Sequence, residues 1–189
     1  WVQRWTAGLT YERDRFALDP LEPPGGPLPE DRTLAYPGIG FDLVEDAYQE
    51  RVNQDQISRT EDVLVGLRAS ARLGYSDEAF GADRAALLMS ASVRDGVDFS
   101  PGRSLFGSVG LSGRIEDGEL RNGLIGAVGR LYWATSTRSK FYASVSGAAA
   151  EQLDAELQLT LGGDNGLRGY PLRYQAGTAR ALLTLEQRY

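Results

Sequence analysis

The sequence predicts an all-β chain forming part of an antiparallel transmembrane β-barrel, with about nine strands visible. Three observations carry that expectation. Apolar residues recur at every second position over long runs, no stretch shows the period of an amphipathic helix, and the polar faces of the runs mix Gly and Ser with arginine. Composition closes off much else. The 189 residues fit one domain, and the absence of Cys and His removes disulfides, thiol chemistry, ordinary zinc sites and histidine-based triads. With 20 Lys+Arg against 26 Asp+Glu, the net charge of −6 argues against a nucleic-acid partner. A mean hydropathy of −0.32 would suit a soluble protein, but a barrel strand is only half apolar and escapes that test. Alternation begins at Trp1 with no initiator Met and no charged-then-apolar leader, so the chain reads as an excerpt of a longer barrel domain.

The first run alternates Trp1, Trp5, Ala7, Leu9 and Tyr11 against Arg4, Thr6, Gly8, Thr10 and Glu12. Residues 19–32 then hold Pro20, Pro23, Pro24, Pro27 and Pro29 with Gly25 and Gly26, a composition that joins neither helix nor inner strand and reads as a long exposed loop. Tyr36 to Val44 resumes as a strand. The polar run from Glu45 to Asp62 lacks EF-hand spacing and its central glycine, so it reads as a solvated loop or strand extension rather than a calcium site.

Val63, Val65, Leu67, Ala69, Ala71, Leu73 and Tyr75 hold one parity without a break, which predicts a single strand roughly 40 Å long, enough to cross a membrane at a tilt. The same parity continues through Leu87–Val93 and Leu105–Ile115. Asp117-Gly118 marks a tight hairpin, and the untidy run 121–133 asks for a bulge. Strands follow over 141–149 and 153–161, and a last one alternates Ala181, Leu183 and Leu185 against Arg180, Thr184, Glu186 and Arg188. A soluble sandwich would face its large apolar residues inward and polar ones outward. Strand length, small polar residues opposite aliphatics, and aromatics near strand ends favour lipid outside and a wet, charged lumen within.

Between the last two runs lies Leu161-Gly-Gly-Asp-Asn-Gly-Leu-Arg-Gly-Tyr-Pro171, with four glycines from Gly162 to Gly169. Glycines at this density let chain pack closely on chain. Alone, the stretch reads as a turn with a solvated arginine or as an anion-cradling loop, though the Gly-Lys-Ser/Thr ending of a P-loop is missing.

With its flanks, the stretch resembles the bacterial surface-antigen superfamily of outer-membrane barrels, to which the BamA/TamA group and the two-partner-secretion transporters belong. The tripeptide Arg168-Gly169-Tyr170 after Leu167, the pair Gly162-Gly163, and Glu186 with Arg188 on the next strand carry the resemblance. It implies a barrel of about sixteen strands, with the loop of 162–177 tucked into the lumen and Arg168 pairing with Glu186. It also implies location in the bacterial outer membrane, lipid and unfolded polypeptide clients as partners, insertion or translocation of protein as the function, and neither catalysis nor a cofactor. A channel or structural surface protein with a luminal plug is the alternative, while an attached lipase would need a Gly-x-Ser-x-Gly that this chain lacks. Counting strands places the proline-rich loop at the opposite end from the arginine loop.

Overall fold

A computed structural model describes residues 1–18, 28–56, 59–136 and 138–189. Its strands are β1 (Val2–Asp14), β2 (Arg32–Val44), β3 (Tyr48–Val52), β4 (Thr60–Leu64), β5 (Arg68–Ser76), β6 (Ala86–Ser100), β7 (Arg103–Glu116), β8 (Glu119–Ala134), β9 (Lys140–Glu151), β10 (Leu159–Leu161), β11 (Gln175–Gly177) and β12 (Ala179–Arg188). The chain is all-β, and the described residues include one 3-10 turn, at Glu78–Phe80. Eight strands form one antiparallel sheet in the order β1-β2-β5-β6-β7-β8-β9-β12, and the pairs β3–β4 and β10–β11 are hairpins inserted into this meander. β1 and β12 do not pair with each other, so the sheet is open and no closed barrel forms.

Parity is the organising rule. Odd-numbered residues give a face on which Trp5, Leu9, Ile39, Leu73, Val93, Val109, Ile125, Val145 and Leu183 all stand exposed. Trp5 and Phe41, partners across β1 and β2, stack on this face at 4.7 Å. Exposed aromatics mark its rims, Tyr11 and Tyr75 at one end and Trp1, Phe99, Trp133 and Tyr189 at the other. Even-numbered residues form the polar face. Thr6, Gly40 and Arg72 lie across three neighbouring strands, and a Cβ on Gly40 would crowd both Thr6 Oγ1, at 2.5 Å, and the Arg72 side chain. This face is concave, enclosing a groove of about 570 Å³ that runs from Thr6 on β1 to Ser112 on β7. Few apolar residues are buried, among them Leu34, Ala35 and Ala86 at one end of the sheet and Leu64, Phe106 and Tyr132 beneath the β3–β4 hairpin.

The tight turn at 117–118 forms as expected, with Asp117 and Gly118 both at positive φ, 49° and 80°. The bulge falls on β8, where Leu124 faces Ser112 but Arg121 faces Arg114, and Asn122 takes a φ of 52°.

Three expectations change. The run from Val63 to Tyr75 is two strands, because the chain leaves β4 after Leu64 and re-enters the sheet at Arg68. Gly96 N donates to Val65 O at 3.1 Å and Glu45 N to Leu67 O at 2.8 Å, so the backbone at the break is satisfied outside the ladder. The polar run 45–62 is solvated as expected, most of its described residues being exposed, but it is more than a loop: it supplies β3 and the start of β4, which pair with each other over the concave face. Residues 153–161 do not join the sheet, and only Leu159–Leu161 extends, pairing with Gln175–Gly177.

Removing that strand from the count reverses the sidedness. The connection from β1 to β2 lies at the same end of the sheet as the arginine loop, here the loop end, whereas β3–β4 lies at the opposite, hairpin end. Most of the proline-rich loop, residues 19–27, lies outside the described residues, and β2 already begins at Arg32.

Candidate functional site

The arginine loop leaves β9 at the loop end and descends along the concave face of β12. Arg180 donates to Thr160 O at 2.8 Å, Gly166 is seated so closely on Leu182 that a Cβ would collide with it, and Arg168 Nη2 lies 3.8 Å from Glu186 Oε1. Those three contacts step down the even-numbered side of one strand. The glycine pair explains how the loop folds. A Cβ on Gly162 would lie 2.6 Å from Pro171 O and 2.8 Å from Tyr174 N, and one on Gly163 would strike Tyr170 O, so only glycine lets the two arms lie backbone to backbone. Gly163 N donates to Pro171 O at 3.0 Å and Leu167 N to Gly162 O at 3.0 Å. Asn165 clips the turn, accepting from Gly162 N at 2.6 Å and donating to Thr160 O at 2.7 Å. Gly169 has a φ of 90°, a conformation that suits glycine, and Tyr170 packs on Tyr174 with centroids 5.3 Å apart.

The structure therefore brings Arg168 and Glu186 together, but at the limit of an ion pair and with the Arg168 side chain 91% exposed. Glu186 is held more firmly by Arg188, whose Nη2 lies 2.9 Å away. Arg188 also stacks over Tyr142 at 4.2 Å and donates to Gln54 O at 2.8 Å, which places it between β12 and the β3–β4 hairpin.

That hairpin is tied across the hairpin end by side chains the sequence reading did not single out. Arg51 donates to Ser104 Oγ and to Asp98, each at 2.7 Å, Tyr132 donates to Asp55 at 2.7 Å, and Lys140 donates to Asn53 O at 3.0 Å. Its turn is built on Glu61, whose carboxylate accepts the backbone N–H groups of Gln54, Asp55 and Gln56, each at 3.0 Å. Burial pushes this carboxyl up, but the three N–H donors outweigh it and hold the group below the ordinary glutamate value.

At the loop end the root of the arginine loop is fixed by a second group. Arg114 on β7 donates to both oxygens of Asp154, at 2.6 and 2.7 Å, and its Nε to Glu116. Arg32 on β2 reaches the same Asp154 at 2.8 Å, with Asp14 at 2.6 Å and Glu156 at 2.9 Å. The Arg114 fork, reinforced by Arg32, holds the Asp154 carboxyl below the usual aspartate range despite the upward push of burial. Sequence reading placed Asp154 in the expected strand over 153–161 and Arg114 in the run Leu105–Ile115. It had no means of pairing them, since 40 residues separate the two.

Among the described residues, no group of acidic residues is arranged to hold a metal ion. No helix of the described residues is long and apolar enough to cross a membrane, a criterion that does not apply to strands. No family model matches the chain, no curated protein matches its sequence, and no solved structure matches its fold.

Proposed function

We propose that this chain is part of the wall of a bacterial outer-membrane barrel of the surface-antigen type, and that the barrel inserts or translocates polypeptides without covalent chemistry or a cofactor. One observation carries the reading: a glycine-rich Arg-Gly-Tyr loop lies along the polar, concave side of a sheet whose other side is an exposed apolar surface rimmed by aromatics. In this reading the odd-numbered face meets lipid and the concave face lines a lumen. The loop is a latch with two fastenings, a strong one at its root through Asp154 and a weak one at its tip through Arg168. A pair 3.8 Å long with so exposed an arginine contributes about 1 kcal/mol at most, so the tip is the end that yields. Clients would be strand-forming chains, which a barrel can take up where one of its strand edges opens.

The test is Arg168→Ala and Glu186→Ala in the full-length protein, scoring delivery of outer-membrane or secreted clients together with protease cleavage of the loop. Reduced delivery and faster cleavage are expected; normal delivery with unchanged cleavage in both variants would overturn the reading. A second reading, a plugged channel handling no client, is favoured by the position of both inserts on the concave face. Photocrosslinkers placed at even-numbered positions of β8 and β9, on the concave face, separate the two, because only a translocating or inserting barrel captures unfolded chain there.

A further inference from the structure

Three arginines of the concave face gather beside the β3–β4 hairpin. Arg32, Arg72, Arg114 and Arg188 each hold a carboxylate, at 2.6, 2.7, 2.6 and 2.9 Å. Arg68, Arg94 and Arg130 hold no carboxylate, hydrogen-bond acceptor or aromatic ring among the described residues. All three are exposed, and they line one open cavity of about 440 Å³ between the β3–β4 hairpin and strands β5, β6, β7 and β8. Arg68 and Arg94 are direct partners across β5 and β6, an arrangement of like charges that costs stability in a sheet unless an anion lies between them. Arg130 lies on β8 opposite Phe106, diagonal to Ser108, the β7 partner of Arg94.

Asp55, Glu61 and Asp62 stand on the same wall, one carboxylate for each guanidinium, but none of them pairs with Arg68, Arg94 or Arg130. Asp55 is engaged by the Tyr132 hydroxyl, with Arg188 at 3.8 Å, and Glu61 by three backbone N–H groups. Asp62 makes no ion pair with any of the three guanidinium groups, so what the cavity offers an anion is their free donors rather than a net positive charge. We infer that the cavity formed by Arg68, Arg94 and Arg130 beneath the hairpin is a binding site for a tetrahedral oxyanion, inorganic phosphate or the phosphate of a monoester. Guanidinium forks suit such a group because each can donate two parallel hydrogen bonds, and a phosphate offers enough oxygens to engage more than one fork. The site does not depend on the membrane reading, since it needs only the sheet and its hairpin.

Calorimetric titration of the folded full-length protein in low-chloride buffer tests this, with inorganic phosphate and dihexanoyl phosphatidate as separate probes. Saturable one-site binding of either is expected, inorganic phosphate indicating a free anion and phosphatidate alone indicating a lipid-borne one. Arg94→Gln and Arg68→Gln should each weaken binding about tenfold or more, while Arg72→Gln, whose native partner is Asp42, leaves it unchanged. A second readout guards against misfolding: without phosphate, Arg94→Gln should melt no lower than the parent, since it relieves repulsion, and phosphate should raise the melting temperature of the parent but not of the variant. No binding of either probe, or equal weakening by Arg72→Gln, overturns the assignment.

Discussion

Asp154 receives three charge-assisted hydrogen bonds from two arginines, and its side chain is 13% exposed. Arg32 and Arg114 are buried more deeply still, so removing the carboxylate leaves two guanidinium groups under-compensated at the root of the loop. Asp154→Asn is expected to destabilise the fold by roughly 3 kcal/mol, read from denaturant midpoints, and to raise cleavage within 152–178. Since the folded carboxyl titrates below the ~3.9 of a free aspartate, its stabilising contribution is complete above that value and is lost as pH falls through the lower folded one. Protection of the loop from protease should therefore persist from pH 8 down to about 5 and fail only below about 4; loss of protection at pH 6 would mean that another group holds the root. At Gly162 the reason for glycine is steric, and Gly162→Ala should push the arms of the loop apart, costing about 1–3 kcal/mol and exposing Tyr170 to cleavage.

At the scale of elements, the inserted hairpin depends on a few polar ties rather than on a core of its own. Tyr132→Phe removes the donor to Asp55 and is expected to cost about 1 kcal/mol, visible as faster hydrogen exchange in 48–64 with little change in the sheet. The elements also show how far the sequence could be read. The two faces were legible because a period of two is local, and Asp117-Gly118 was legible because both residues tolerate positive φ. The break before Arg68 was hidden because Val63, Val65 and Leu67 keep the parity of Ala69 and Leu73 while the chain changes direction. Residues 153–161 misled for the opposite reason. They alternate well, yet Asp154 is drawn to Arg114 and Arg32, Leu157 stays 45% exposed, and no strand of the eight-stranded sheet pairs with the segment. Alternation records what faces a side chain could share; pairing across the chain decides which strands exist. The arginine loop was legible as a motif, but its strongest fastening was not, because the partners of Asp154 lie on strands far from it in sequence.

For the whole molecule, the telling feature is a large apolar surface with almost no buried core beneath it. In water such a surface drives association, and in the proposed setting it faces lipid. The two readings part at a one-residue step on β12. Leu183→Arg, on the odd-numbered face, should impair insertion into detergent micelles or vesicles by about 2–4 kcal/mol, whereas Thr184→Arg, on the concave face, should be tolerated. Equal effects would remove the case for lipid on one side only. The edges of β1 and β12 add a requirement of their own in the proposed setting: their outward N–H and C=O groups have no partner in this sheet, and in a bilayer each such group left unpaired costs several kcal/mol, so both edges would need partner strands there.

Glu186 and Arg188 are two residues apart on β12, yet they receive inserts from opposite ends of the sheet. Arg168 descends to the first from one end, and Gln54 and Asp55 meet the second from the other. Because Glu186 and Arg188 are also each other's counter-ion, the departure of either insert changes the charge that the other one meets. Thermodynamic linkage then runs both ways: whatever lifts the loop alters the hold on the hairpin, and whatever draws out the hairpin alters the hold on the loop by the same free energy. The two ends of the sheet are in this sense one switchboard, wired through a single pair of side chains.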